Sequence, residues 1–181
     1  MAKLPILIIN NAIIFPGMEY RGETIDYYEQ GIIDATDKSE SKELVIIHSI
    51  DNISTDDVTE FPKIGLLATL TLKLNIPNSK MRYIFIGLKR IEITSYEEEN
   101  GIYYANYKEI NNNKDNSIEE DKYLNMLYRN YEKYVREISS VSNAMLGEIS
   151  SIKNLDKLTD FIVSFLNLSP DIKKSYLYEL D

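Results

Sequence analysis

The chain has 181 residues, 44% of them hydrophobic and 27% charged, which is globular composition with length for one ordinary domain or two small ones. It contains no cysteine, which excludes disulfides, a thiolate nucleophile and cysteine metal sites and points to a reducing compartment. A net charge of −9 opposes general nucleic-acid binding, which rests on neutralising phosphates.

The N-terminus reads MAKLPILIINNAIIF. Its apolar content suggests a secretory leader, but the paired asparagines and the lack of a small-x-small cleavage site argue against one. No apolar run approaches the ~18 residues of a membrane span. A cytoplasmic soluble protein with no membrane partner is therefore expected.

In chain order, Leu4–Ile9 is a short apolar strand, and the run resumes at Ala12–Phe15 before stopping at Pro16-Gly17. A helix follows, with Thr24 as its cap and Ile25, Tyr28, Ile32 and Ala35 at helical spacing, ending over Thr36–Ser39. Glu43–Ile50 is a β-branched strand. In Ile64–Leu74, Leu and Ala alternate with Thr and Lys over the second half, the period-2 sign of a half-buried strand. Asn75–Lys80 supplies a turn, and Met81–Thr94 returns as a long strand bent at Gly87, so the pair reads as a hairpin. After an acidic turn, EEENG, Gly101–Ile110 is the last strand.

Beyond an asparagine-rich joint, Asn111–Asn116, the pattern is helical. Ser117 and Glu120 have capping-box spacing, and Leu124, Leu127, Tyr128, Tyr131, Val135 and Ile138 form one apolar stripe. Asn154 caps a second helix with Leu155, Leu158, Ile162, Phe165 and Leu166 on one face. Ser169-Pro170 opens a third, carrying Ile172, Tyr176, Leu177 and Leu180, and the sequence ends inside it, as in a chain cut from something longer. A calcium-loop reading of NNNKDN fails, because the sixth position is Asn116 instead of glycine and the twelfth is Lys122 instead of an acid.

Reaction chemistry is not legible. None of the seven glycines precedes a lysine, so a phosphate-cradling loop is lacking, and GxGxxG, HExxH and GxSxG do not occur. The single histidine, His48, sits mid-strand in VIIHSI, where a tolerated or hydrogen-bonded side chain is the expectation. The acidic pairs Asp56-Asp57 and Glu119-Glu120 fall in loop and cap positions. Tyr103, Tyr104 and Tyr107 suit packing better than base stacking, since their strand lacks flanking basic residues. No catalytic, cofactor-binding or metal-ligating residue is assigned.

One charge feature stands out. From Phe61 through Ile91 there is no acidic residue, while Lys63, Lys73, Lys80, Arg82, Lys89 and Arg90 all fall there. Such an island is either a docking face for an acidic partner or a solvated hairpin surface.

Four segments, taken together and in this order, resemble the N-terminal domain of the Lon family of ATP-dependent proteases. They are Pro5–Leu7 followed by Asn11–Met18 with its Phe15-Pro16-Gly17 turn; Ile64–Leu70, with Gly65, and Leu74–Ser79; Ile84–Ile91, with Gly87 and Arg90; and Leu158–Ser164 with Lys173–Glu179. Ile8 and Asn10 stand where the family has a proline and an arginine, and Glu19–Tyr28 is shorter and more polar than the family's apolar strand.

The resemblance implies an α+β fold: a small PUA-like β pseudo-barrel of about six strands with one or two helices over residues 1–110, a linker over 111–117, and an α-helical bundle region over 118–181. Phe15 would plug the barrel. It also implies the non-catalytic, substrate-engaging part of a cytoplasmic homo-oligomer, with the AAA+ motor, its ATP and magnesium, and the serine–lysine dyad all downstream. Partners would then be unfolded or damaged proteins and the downstream domains. The alternative is a stand-alone module of the same shape that binds RNA or a small ligand. For substrate contact the candidates are Ile76 and Met81 at the hairpin tip with Lys73, Arg82 and Lys89. The competing reading tucks Ile76 and Met81 into the barrel end and leaves the lysines to solvate it.

Overall fold

Backbone pairing organises residues 1–110 around one very long strand. In this computed structural model, which describes residues 3–48, 61–110, 118–137, 147 and 149–179, the strands are β1 (Lys3–Ile9), β2 (Glu19–Thr24), β3 (Glu43–His48), β4 (Ile64–Ile76), β5 (Lys80–Glu99) and β6 (Ile102–Glu109). Their order is β2-β5-β4-β3-β1-β6, and β6 also pairs with β5, which closes the sheet. β5 has 20 residues, long enough to serve β2 along Met81–Ile86 and β6 along Ile91–Glu99, with β4 on its other edge. β1 and β3 run parallel, and the other pairs are antiparallel. Closure leaves β2 as an edge, which suits its alternating Glu19, Arg21 and Glu23. The polar segment after Met18 thus forms a strand, one that among the described residues pairs with β5 alone.

Alternation builds two apolar clusters on opposite faces of β1 and β3. Leu7, Ile9, Leu44, Ile46, Leu66, Leu70, Met81 and Phe85 join the first, and Leu4, Ile6, Val45, Ile47, Ile91, Ile93 and Ala105 the second. Helix α1 (Tyr27–Lys38) adds Ile32 and Ile33 to the first. It begins later than the expected Thr24 cap. Asp26 is the N-cap, its carboxylate accepting from the Tyr28 and Glu29 N–H groups, while the Thr24 hydroxyl accepts from the Asp26 N–H. That shift rotates the buried stripe to Ile32, Ile33 and Thr36 and leaves Ile25 and Tyr28 exposed.

The Pro16-Gly17 turn docks on β5. Gly17 has φ of 82°, a conformation glycine adopts without cost. Its N–H donates to the Gly87 carbonyl at 2.8 Å, and the Gly87 N–H donates to the Met18 carbonyl at 2.9 Å. A Cβ at Gly87 would lie 2.7 Å from the Phe15 carbonyl oxygen, so a side chain there would push the turn away. Phe15 is fully buried. At Gly65 a Cβ would meet the Val45 side chain at 2.9 Å. Opposite Gly87, where a bend was expected, the β4–β5 register shifts between Leu67 and Ala68 and leaves Leu88 as an extra residue of β5.

The acidic EEENG segment is strand instead of turn as far as Glu99. Glu97, Glu98 and Glu99 pair with Tyr104, Tyr103 and Ile102, and the Lys3 ammonium holds both Glu97 and Glu99. The turn itself is Asn100-Gly101, both with positive φ, the pair a two-residue hairpin needs.

The chain divides into two compact units, Met1–Ile110 with Pro170–Asp181, and Asn111–Ser169. In the second, α2 (Ile118–Glu137) presents Leu124, Leu127, Tyr128, Tyr131 and Val135 to Ile149, Leu158 and Ile162, the last two from α3 (Leu155–Phe165). The Asn154 side chain caps α3 by accepting from the Lys157 N–H at 2.9 Å. Phe165 is exposed, off the stripe expected for it. Ser117, Ile138, Leu180, Asp56, Asp57 and the joint at 111–117 lie outside the described residues.

Helix α4 (Pro170–Tyr178) differs from expectation in company and in phase. The expected helical region ran through 181, whereas this segment groups with the barrel strands. The reason is a set of bonds from β5 and β3 to its last turn. Leu177 is its buried residue, while Ile172 and Tyr176 face solvent.

Candidate functional site

The hairpin end of β4 and β5 contains a face reversal. Leu70 lies opposite Phe85 and Leu72 opposite Ile84, so Thr71 is an extra residue in β4. Before this bulge, Leu66, Ala68 and Leu70 are buried; after it, Leu72 and Leu74 are 38% and 48% exposed. Ile84 and Ile86 are half-buried on the same outer face, because Met81, Tyr83 and Phe85 take the inner one. The result is an apolar strip on the outside of the sheet.

The same bulge turns Lys73 inward. Its ammonium forms an ion pair with Asp34 and lies 3.6 Å from Asp37, both on α1, with only 17% of its side chain exposed. The hydrogen bond to Asp34 is the main reason its pKa rises above the ordinary lysine value.

The predicted contact residues therefore separate. Met81, exposed at the tip in the contact reading and tucked in by the competing one, is 3% exposed in the first cluster, because its backbone sits between Thr24 and Asn75 in phase with Tyr83 and Phe85. Ile76 is half-buried beside the turn. Arg82 and Lys80 share the Glu23 carboxylate at 2.7 and 3.0 Å, and that carboxyl is held below its usual range chiefly by Arg82. Lys89 pairs with Glu109, and the Arg90 Nε–H donates to the Leu177 carbonyl at 2.6 Å. The partner carboxylates Glu23, Asp34, Asp37 and Glu109 all come from outside residues 61–91, so four of the six cations of the basic island, Lys73, Lys80, Arg82 and Lys89, are paired in the fold.

The tyrosines of β6 are occupied too. Tyr103 packs edge-on to Phe61 at 5.5 Å, and the Lys3 ammonium stands 5.0 Å from the Tyr104 ring. Tyr107 packs against the second cluster.

His48 is 1% exposed at the end of β3. Its Nε2 accepts from the Ile14 N–H at 3.0 Å, which requires a neutral ring. Burial, helped by the Lys174 ammonium, lowers its pKa to about 4. The ring ties the loop before Pro16 to β3. Among the described residues no group of three His, Asp or Glu could hold a metal, and no helix is long and apolar enough to cross a membrane.

The strip was missed because the sequence puts Leu66, Ala68, Leu70, Leu72 and Leu74 on one face by strict alternation. Exposed leucines in the second half were findable only by placing the bulge.

Fold and site define a mixed α+β binding domain, a closed sheet that offers solvent an apolar outer strip among paired charges. Residues 3–181 match the family described as the ATP-dependent protease La (LON) substrate-binding domain, and the chain belongs to that family. It is 24% identical over 181 residues to the Lon protease of Bacillus thuringiensis (strain Al Hakam), covering 96% of this chain and 22% of that protein. The Lon protease of Brevibacillus choshinensis is 24% identical over 180 residues, covering 97% and 22%. The chain thus spans about a fifth of these relatives. Among solved structures, the N-terminal domain of Mycobacterium avium complex Lon protease superposes with a TM-score of 0.82 at 16% identity, covering 99% of this chain and 91% of that one. The Lon N-terminal domain protein from Xanthomonas campestris gives a TM-score of 0.65 at 12% identity, with the same coverages.

Proposed function

We propose that this substrate-binding domain captures unfolded or damaged protein segments on the outer strip of the β4–β5 hairpin, through Leu72, Leu74, Ile84 and Ile86. The observation that carries the reading is the outward turn of Leu72 and Leu74 by the bulge at Thr71. Apolar strips rimmed by polar residues mark interaction sites, and unfolded chains supply the apolar segments that fit one. Paired cations around the strip keep it soluble without selecting for charge.

In the natural setting the domain serves a longer chain. The Lon proteases it matches are about fivefold longer, and on this reading an AAA+ module with bound ATP and magnesium follows, then a chamber with a serine–lysine dyad. The assembly is a cytoplasmic homo-oligomer. The closed sheet is a PUA-like barrel, and α2 and α3 belong to a small helical bundle. This chain supplies capture and support for assembly, with no reaction of its own.

The test is the affinity for a permanently unfolded protein, reduced and carboxymethylated α-lactalbumin, read by fluorescence anisotropy. Each leucine has roughly half of its side chain left to bury, worth about 1 kcal/mol or about fivefold in Kd. The Leu72→Asp/Leu74→Asp double variant is expected to bind at least about 25-fold more weakly. Binding that changes less than about twofold moves the contact surface elsewhere.

A further inference from the structure

Helix α4 is held to the barrel from a long way off in sequence. All of Asn111–Ser169 intervenes, yet Pro170–Asp181 groups with the strands. The last carbonyls of a helix have no partner within it and carry the negative end of its dipole. Here a cation meets them. Arg90, on β5, donates from Nε to the Leu177 carbonyl at 2.6 Å and from an Nη to the Tyr176 carbonyl at 3.4 Å. Next to it, the Tyr178 hydroxyl donates to the His48 carbonyl at the end of β3, at 3.4 Å.

The helix is short. It has nine residues, below the roughly 12–15 at which isolated helices become marginally stable. Leu177, 2% exposed, is its buried anchor, while Ile172 and Tyr176 lie open to solvent. Arg90 itself sits opposite Leu66 in the body of the sheet. A short helix bonded at its last turn to a stiff strand has the makings of a separately opening unit.

We propose that α4 is a strap that docks and undocks on the barrel as a unit, with Arg90 as the positioning residue that keeps it docked. On the reading of a longer protease chain, which this consequence rests on, a pull from a downstream motor reaches the barrel through the Arg90 contact first.

Hydrogen exchange by mass spectrometry on the 181-residue chain tests the strap without any substrate. In the wild type, amides of 171–178 should exchange faster than those of β3 and β4. Arg90→Met should speed α4 exchange at least about tenfold while β3 and β4 stay unchanged, since a charge-assisted hydrogen bond is lost. Arg90→Lys should recover part of the protection, and Tyr178→Phe should loosen α4 by a smaller factor with the barrel again untouched. Unchanged α4 exchange in Arg90→Met overturns the proposal. So does protection lost equally across all six strands, because α4 is then no separate unit. Either failure leaves the capture reading standing, as that rests on the affinity of the leucine variants.

Discussion

Acidification should weaken the fold through one side chain. His48 is buried and neutral, its Nε2 committed to the Ile14 N–H and its ring close enough to the Lys174 ammonium to feel it. Protonation would place a second N–H against the Ile14 donor and a charge in a dry site. Burial first and Lys174 second lower the pKa from 6.5 to about 4. An unfolded chain takes up its proton near the ordinary value, so between these limits the unfolded state binds more protons. The stabilising contribution is therefore complete above about pH 6.5 and is lost as pH falls through about 4. At ~1.4 kcal/mol per pH unit, that window amounts to about 3 kcal/mol. Urea unfolding of the wild type and of His48→Gln from pH 7.5 to 4 isolates this loss, since carboxylate contributions common to both cancel. Because the chain has one histidine, its ring protons also titrate in proton NMR without assignment. A folded-state midpoint near 6.5, or parallel pH dependences for the two proteins, would refute the argument.

Three further outcomes follow from particular contacts. Met81→Ala should cost about 2–4 kcal/mol by urea unfolding because Met81 is buried, while the exposed Leu72→Ala should cost under about 0.5 kcal/mol; the reverse order would restore Met81 to the surface. Asp26→Ala should destabilise by about 1 kcal/mol through loss of the two first-turn hydrogen bonds to Tyr28 and Glu29, and an unaltered midpoint would return the cap to Thr24. The isolated chain should hydrolyse neither ATP nor casein, having no phosphate loop and a histidine sealed from solvent; ATPase activity that persists through repurification would overturn the non-catalytic reading.

The sequence by itself determined what depends on neighbours along the chain. Pro16-Gly17 had to turn, because few residues but glycine take the backbone angle found there. Asn75–Lys80 had to reverse the chain between two apolar runs, and the stripe from Leu124 to Val135 had to seek a partner. The family was legible as a resemblance, carried by four segments in order between Pro5 and Glu179. Asn100-Gly101 was equally legible, but the acidic run before it masked the turn; those glutamates stay in strand because Lys3, more than ninety residues away, balances two of them.

Only the tertiary structure decided the site. Alternation in β4 assigns five residues to one face, and a single unpaired Thr71 sends the last two to the other. A bulge is set by cross-strand register and leaves little trace in composition. The cations of residues 61–91 gather no acid in sequence, yet Glu23, Asp34, Asp37 and Glu109 reach them in space. Helix α4 follows two helices in the chain but bonds to strands, because the free carbonyls of its last turn find their partner in Arg90, 87 residues upstream of Leu177. In each case the partner is distant in sequence, and a pattern read over one or two turns of chain has no access to it.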